Sequence, residues 1–189
     1  MRIIIVGCGK VGSALAEQLS AEGHELTLVD MSERRLGELA NTLDVATVTG
    51  SGTSYQILKE AGVKETDLLI AVTTHDEINL LSCLIASRAS GCHTIARVRD
   101  PEYVSEIGFI RDELGLSMVI NPELSTARVV SRLIRFPSAI GVGTFAKGRI
   151  ELLDIRIPVG SRLDGMAVCE VNPLLRSNVL LCMVRRGGQ

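Results

Sequence analysis

The sequence predicts an α/β protein: a doubly wound parallel sheet of six strands, followed by a crossover helix and a small, incomplete α+β module. Three observations predict it. Six short apolar runs alternate with segments of helical periodicity over the first 120 residues, and parallel neighbours need such helical crossovers. A glycine-rich turn joins the first run to the first helix. The 189 residues are 46% hydrophobic but only 3% aromatic, room for one full domain plus a smaller piece with an aliphatic core.

Each element follows in order. Ile3-Ile4-Ile5-Val6 is a buried strand, and Gly12 to Ala21 a helix with Leu15, Ala16 and Leu19 on one face. Glu25 to Asp30 is the second strand; Ser32 then caps a helix reaching about Thr42. Val45 to Val48 is the third strand, before a Gly50–Thr53 turn and a short helix ending at Gly62. Leu68 to Val72 is the fourth, followed by a helix from Asp76 to Ala89 that Gly91 closes. Thr94 to Val98 is the fifth, and Pro101 to Leu114 a helix with Pro at its first turn and Gly115 at its end. Ser117 to Ile120 is the sixth.

Asn121-Pro122-Glu123 opens a crossover helix over 122–136, which stops at Pro137. Its apolar residues, among them Leu124, Val129, Val130, Leu133 and Ile134, spread around more than one face. Two readings stand: one side packs on this domain and the other on a partner or second domain, or all belong to one wide core face. Residues 1–137 form the first domain and 138–189 the partial module. In that module Ile140 to Phe145 and Ile150 to Ile157 flank a Lys147-Gly148 turn, and Val179 to Val184 is a further strand. The chain ends on a turn signal directly after that strand, so an incomplete domain is expected.

Charge and cysteine usage exclude several classes. The formal net charge is −2 with acids and bases interspersed, which gives no electrostatic footprint for nucleic acid. Five scattered cysteines (Cys8, Cys83, Cys92, Cys169 and Cys182) lack metal-type pairing and fit free thiols in a reducing cytosol. No apolar run approaches the roughly 18 residues of a membrane span. The first strand begins almost at Met1, leaving no space for a targeting segment, so a cytoplasmic location is expected.

The sharpest chemistry is Gly7-Cys8-Gly9-Lys10-Val11-Gly12, a G-x-G-x-x-G between a strand and a helix. Gly7 permits the tight turn, Gly9 lets backbone approach a pyrophosphate, and Gly12 lets helix and strand pack closely. The amides opening the helix supply the attraction for phosphate. Asp30, ending the second strand, is placed to accept hydrogen bonds from both ribose hydroxyls and to repel a 2′-phosphate. NAD(H) or an adenine nucleotide is therefore favoured over NADP, in a Rossmann-like cleft. Lys10 either points at a terminal phosphate or is a solvated lysine. Topology puts Gly50, Ser51, Gly52 and Thr53 at the cleft mouth, and Thr73 and Thr74 on the ribose or nicotinamide side. His75 reads as a solvated loop residue. Arg97 and Arg99 either approach phosphate or a neighbouring subunit, or form ion pairs with Asp100 or Glu102.

Further stretches join the glycine turn: Ala71-Val72-Thr73-Thr74-His75-Asp76-Glu77-Ile78-Asn79, Ala96-Arg97-Val98-Arg99-Asp100-Pro101-Glu102-Tyr103 and Asn121-Pro122-Glu123. With Asp30 and Gly50–Thr53, they resemble the TrkA-type KTN domain, also called RCK, of bacterial potassium uptake systems. The resemblance covers about the first 140 residues; Leu163-Asp164-Gly165-Met166 resembles a turn of the family's C-terminal RCK module. It implies a cytoplasmic regulatory subunit, peripheral at the inner face of the cell membrane, that assembles as a dimer or higher ring on a membrane potassium-translocating subunit. It implies NAD or NADH, alternatively ATP or ADP, as the bound ligand. By position, Gly7, Gly9, Gly12 and Asp30 would hold pyrophosphate and ribose. Lys10 stands where relatives often carry an arginine that reaches the γ-phosphate of ATP across a dimer contact. Glu123 matches an acid that in some relatives helps bind a divalent cation between subunits. Ser51 and Gly52 depart from the Gly-Asp/Asn-Ala form usual after the third strand, on the adenine side of the site.

The competing class is an NAD-dependent oxidoreductase fragment. Such an enzyme needs an acid/base group near the nicotinamide. The roughly 50 residues after the nucleotide domain contain no histidine, and no Tyr-x-x-x-Lys, Cys/His pair or metal set appears. An NADH-responsive repressor would need a helix-turn-helix or a basic face, which this sequence lacks. The expectation is a switch, not an enzyme.

Overall fold

The structure is a computed structural model that describes residues 1–146, 149–175 and 179–186. Two compact units make up the chain, Met1–Thr126 and Ala127–Gln189. The first holds six parallel strands: β1 (Arg2–Val6), β2 (Glu25–Asp30), β3 (Ala46–Thr49), β4 (Leu68–Ala71), β5 (His93–Arg97) and β6 (Met118–Ile120). They lie in the order β3-β2-β1-β4-β5-β6. Every pairing is parallel and in regular register, Ile4 of β1 standing beside Thr27 of β2 and Leu69 of β4. The expected doubly wound sheet is therefore present.

Side-chain alternation along β1 divides the core between the two faces of the sheet. Ile4 and Val6 join one buried cluster with Leu58, Val63, Leu69 and Cys83. Ile3 and Ile5 join the other with Ala16, Leu28, Leu36 and Ile70. Helices α1 (Lys10–Ala21), α2 (Glu33–Ala40), α3 (Tyr55–Glu60) and α4 (Asp76–Ser90) supply the crossovers. Ser32 caps α2, its hydroxyl accepting from the Arg35 amide, and Gly91 ends α4 in the left-handed region at φ 70°.

The helix expected over 101–114 is broken into α5 (Pro101–Ser105) and α6 (Ile107–Leu114). Glu106 between them takes φ −110° and ψ 13°, outside helical geometry.

Helix α7 (Pro122–Arg135) begins as the sequence reading expects, with the Asn121 carboxamide accepting from the Leu124 amide at 2.9 Å. It carries the chain from the first unit into the second. There β7 (Ala139–Phe145) and β8 (Ile150–Ile155) pair antiparallel, and α8 (Val168–Leu175) follows. The Lys147-Gly148 turn lies outside the described residues. The strand expected at 179–184 does not form; those residues are irregular. A strand exists only through a neighbour's hydrogen bonds, and the second sheet contains β7 and β8 alone.

Candidate nucleotide site

The sheet order places a topological switch point between β1 and β4: the chain runs outward through β2 and β3, then returns to the other side of β1. Ligands on open α/β sheets sit in the crevice beyond the strand ends at such a point. The turn after β1 (Gly7–Gly9) and the turn after β4 (Val72–His75) meet there, and the glycines let them meet. A Cβ on Gly7, at φ 97°, would stand 2.8 Å from the Thr73 amide nitrogen. A Cβ on Gly12 would stand 1.9 Å from the Gly7 carbonyl oxygen. A side chain at either position displaces backbone.

Gly9 is different. A Cβ there would have no heavy atom within 4 Å, so its lack of a side chain serves no internal packing. Gly9 is the N-cap of α1, no side chain caps that helix, and its first turn holds no acid. The opening amides of a helix need acceptors. Here they face open space beside the one glycine of the Gly7–Gly12 motif whose Cβ would clash with nothing, a cradle that fits a pyrophosphate.

Asp30 lies beside this cradle with its side chain 9% exposed. Its Oδ2 accepts from the Cys8 amide at 2.7 Å and its Oδ1 from the Ser32 amide at 2.8 Å. The carboxylate thus ties the glycine loop to the start of α2, and each oxygen keeps lone-pair capacity for a further donor such as a ribose hydroxyl. Cys8 turns its side chain into the second core cluster. Burial first, and the Asp30 charge next, push its thiol up to about 12. Lys10 is exposed and Val11 half-buried.

The loop after β3 is tied in through Gly50, whose amide donates to the Asp30 carbonyl at 2.9 Å. The Ser51 and Thr53 hydroxyls lie 2.8 Å apart. Gly52 is buried, and a Cβ there would stand 2.3 Å from Val6 Cγ1. An alanine in its place has no room, which gives a packing reason for this departure from the family pattern.

On the other side of the crevice, the Thr73 hydroxyl donates to Asn79 Oδ1 at 2.7 Å, while Thr74 and His75 are exposed. Arg97 is 8% exposed. Its NH1 lies 3.5 Å from the Thr73 carbonyl, and its NH2 donates to Glu123 at the first turn of α7. That hydrogen bond holds the Glu123 carboxyl below the usual carboxylate range. Neither arginine pairs as adjacency suggested: Arg99 Nε lies 3.8 Å from Asp76 Oδ1, while Asp100 is engaged as the N-cap of α5, accepting from the Glu102 amide at 2.9 Å. As for a metal, no cluster of three or more His, Cys, Asp or Glu side chains occurs among the described residues. Within one chain Glu123 supplies a single carboxylate, already bonded to Arg97.

A groove of about 590 Å³ opens at the opposite end of the sheet, beside Arg2, His24, Glu25 and Asp44. It arises because β3 begins opposite Thr27, leaving Glu25 and Leu26 of β2 unpaired on that side. None of the expected site residues lines it.

With this geometry in view, residues 3–122 match the TrkA-N domain family. The chain belongs to that family. Over 188 residues it is 37% identical to a Trk system potassium uptake protein TrkA homolog of Archaeoglobus fulgidus, covering 100% of this chain and 42% of the relative. It is 37% identical over 171 residues to the Haemophilus influenzae Trk system potassium uptake protein TrkA, 89% of this chain and 37% of that one. The chain thus spans less than half the length of these two relatives. Among solved structures, the TrkA-N domain of the Escherichia coli inner membrane protein ybaL superposes with a TM-score of 0.63 at 27% identity, over 70% of this chain and 96% of that one. The GsuK channel bound to NAD gives 0.60 at 19% identity, over 77% of this chain and 25% of that one; at that identity the likeness shows the fold alone.

Two polar residues of this TrkA-N chain, Asn79 and Asp76, hold backbone rather than ligand. Asn79 is wholly buried; its Oδ1 accepts from the Thr73 amide and its Nδ2 donates to the Arg97 carbonyl at 2.9 Å. Asp76 Oδ2 accepts from the amides of Arg99 and Asp100, both at 2.7 Å. Together they pin the ends of β4 and β5. Helical spacing was the available signal: Asn79 shares the inward stripe of α4 with Cys83 and Ala86.

Proposed function

We propose that this chain is the nucleotide-sensing part of a regulatory subunit of a potassium uptake system, binding NAD(H), or alternatively ATP or ADP, in the crevice between β1 and β4. The observation that carries it is the uncapped start of α1 at Gly9, an anion cradle with Asp30 beside it. The potassium uptake proteins to which the chain is similar supply the transport context, and structures of the same fold bound to NAD, ADP or AMP supply the ligand class. Lys10, Ser51, Gly52, Thr73, Thr74 and Arg97 line or support the site in this reading. Residues 138–189 belong to an RCK C-terminal-like module in this reading. The assembly is a homo-oligomer on the cytoplasmic face of a membrane potassium-translocating subunit. A divalent cation at Glu123 would draw its other ligands from a second copy.

As a switch, the protein needs ligands that bind its conformations unequally, since equal binding shifts nothing. Calorimetric titration with NADH, NAD, ATP and ADP, alongside light scattering of the oligomer, tests the reading. Saturable binding of at least one ligand and a ligand-dependent change in assembly are expected. Absence of binding at millimolar ligand, or substrate-dependent hydride turnover, overturns it.

A further inference from the structure

The Arg97 guanidinium is nearly removed from water, yet its hydrogen bonding is incomplete. The residue is 8% exposed, Nε is buried with no acceptor among the described residues, and NH1 reaches the Thr73 carbonyl only at 3.5 Å. A buried cation needs an anion, and the one bonded to it is Glu123. That partner is unlike it in one respect: the Glu123 side chain is 52% exposed. Glu123 can rotate into water at little cost, whereas Arg97 is held.

Thr73 connects this pair to the phosphate cradle. Its amide nitrogen lies where a Cβ on Gly7 would be 2.8 Å away, and its carbonyl faces Arg97 NH1. Asn79 locks the unit by bonding the Thr73 amide, the Thr73 carbonyl and the Arg97 carbonyl. The guanidinium therefore faces the carbonyl of the residue whose amide meets the glycine loop, on the β4–β5 side of the crevice.

We propose that Glu123 and the distal phosphate of a bound nucleotide compete for the Arg97 guanidinium. Glu123 is thus a regulatory carboxylate of the cleft: phosphate binding releases the first turn of α7, the helix that leads into the second unit, and any contact that captures Glu123 elsewhere tightens nucleotide binding. The proposal rests on the nucleotide reading above and adds its regulation. The expected sign is unusual: removing the charge of an ion-pair partner improves the site.

Calorimetry with ADP and with adenosine tests it on the wild-type chain, Glu123→Gln, Arg97→Leu and the double variant. Glu123→Gln should tighten ADP by roughly five-fold or more, the lower end of usual couplings between sites, and leave adenosine unchanged. Arg97→Leu should weaken ADP, and adding Glu123→Gln to it should restore nothing. If Arg97→Leu does not fold, Arg97→Lys, which keeps the charge but loses the planar donor set, takes its place. Unchanged or weaker ADP binding in Glu123→Gln overturns the competition. So does a gain that persists without the arginine, because general charge repulsion then explains it. A wild-type chain that binds neither ligand sinks the nucleotide reading and this inference together; one that binds ADP while Glu123→Gln shows no gain sinks this inference alone.

Discussion

The two units of the chain draw on similar aliphatic residues and use them in opposite ways. In Met1–Thr126, β1 and β2 are sealed on both faces: Ile5, Leu28 and Val29 are fully inaccessible. Among the described residues beyond Leu116, none is buried. Ile134 is 74% exposed, Leu180 87% and Val159 97%. The physical difference is layering. A six-stranded sheet with helices on both faces encloses two cores, whereas a two-stranded sheet has no independent stability and needs a further layer. Periodicity reports which residues want burial; only a facing layer delivers it. The second unit therefore carries apolar surface of the kind that marks a contact site.

The strongest way to break this contrast is to damage one core and watch the whole. Leu28→Ala removes a wholly buried side chain that packs among Ile5, Leu36 and Ile70. Such truncations cost about 2–5 kcal/mol. Denaturant unfolding should show a loss of that size; a loss below about 1 kcal/mol would mean the sheet is not the stability-determining unit.

Next in size is the site that the rigid unit supports. Asp30→Asn preserves shape but removes the charge that accepts from Cys8 and Ser32 amides. Hydrogen bonds to charged groups are worth roughly 1.5–3 kcal/mol, so calorimetry should show NADH or ADP affinity falling by about ten-fold or more. Because the same carboxylate also anchors the glycine loop, Gly9→Val is the sharper companion. Its side chain meets open space, so the melting temperature should hold while nucleotide binding falls. Equal losses of both would assign Gly9 a packing role instead.

Much of the first unit was legible because its signals are local. Alternation in Ile3–Val6, the Ser32 cap and the spacing from Gly12 to Asp30 each reflect one strand, one turn or one crossover. What escaped was non-local or polar. Arg97 finds Glu123, 26 positions away, since Asp100 is spent on capping α5. Asn79 and Asp76 sit inside although polar, because they satisfy backbone groups where β4 and β5 end; helical spacing turns Asn79 inward but does not show which groups it bonds. The helix at 101–114 breaks at Glu106, two residues before Gly108, the one interior glycine that weakens it. In the second unit, the residues expected to form a strand at 179–184 have the right composition and, among the described residues, lack a neighbour to pair with.

Thiol chemistry sharpens the contrast without altering the fold. Burial raises Cys8 and Cys83 from 9.0 to about 12, while Cys169 and Cys182 are exposed. Alkylation at pH 8 followed by peptide mass mapping should modify the latter pair and spare the former until the protein is denatured. The raised pair also sets an alkaline limit. The folded state holds protons that the unfolded state releases between pH 9 and about 12, so stability falls as pH rises through that window. Their contribution is fully present below pH 9. Replacing both with alanine should flatten this alkaline slope; an unchanged slope would place its origin in other groups.

The smallest expected effect probes the exposed side directly. Ile134, 74% exposed on α7, contributes little to a single chain because its burial is not part of that chain's folding. Ile134→Ser should shift unfolding at low protein concentration by no more than about 0.5 kcal/mol, as surface substitutions do. The same change should weaken any self-association that covers this helix. Binding to the folded state alone makes melting temperature depend on concentration, so wild type and variant should melt alike when dilute and diverge as concentration rises. A large loss in dilute solution would show that α7 already packs inside the single chain, and the division between a sealed unit and an open one would lose its physical basis.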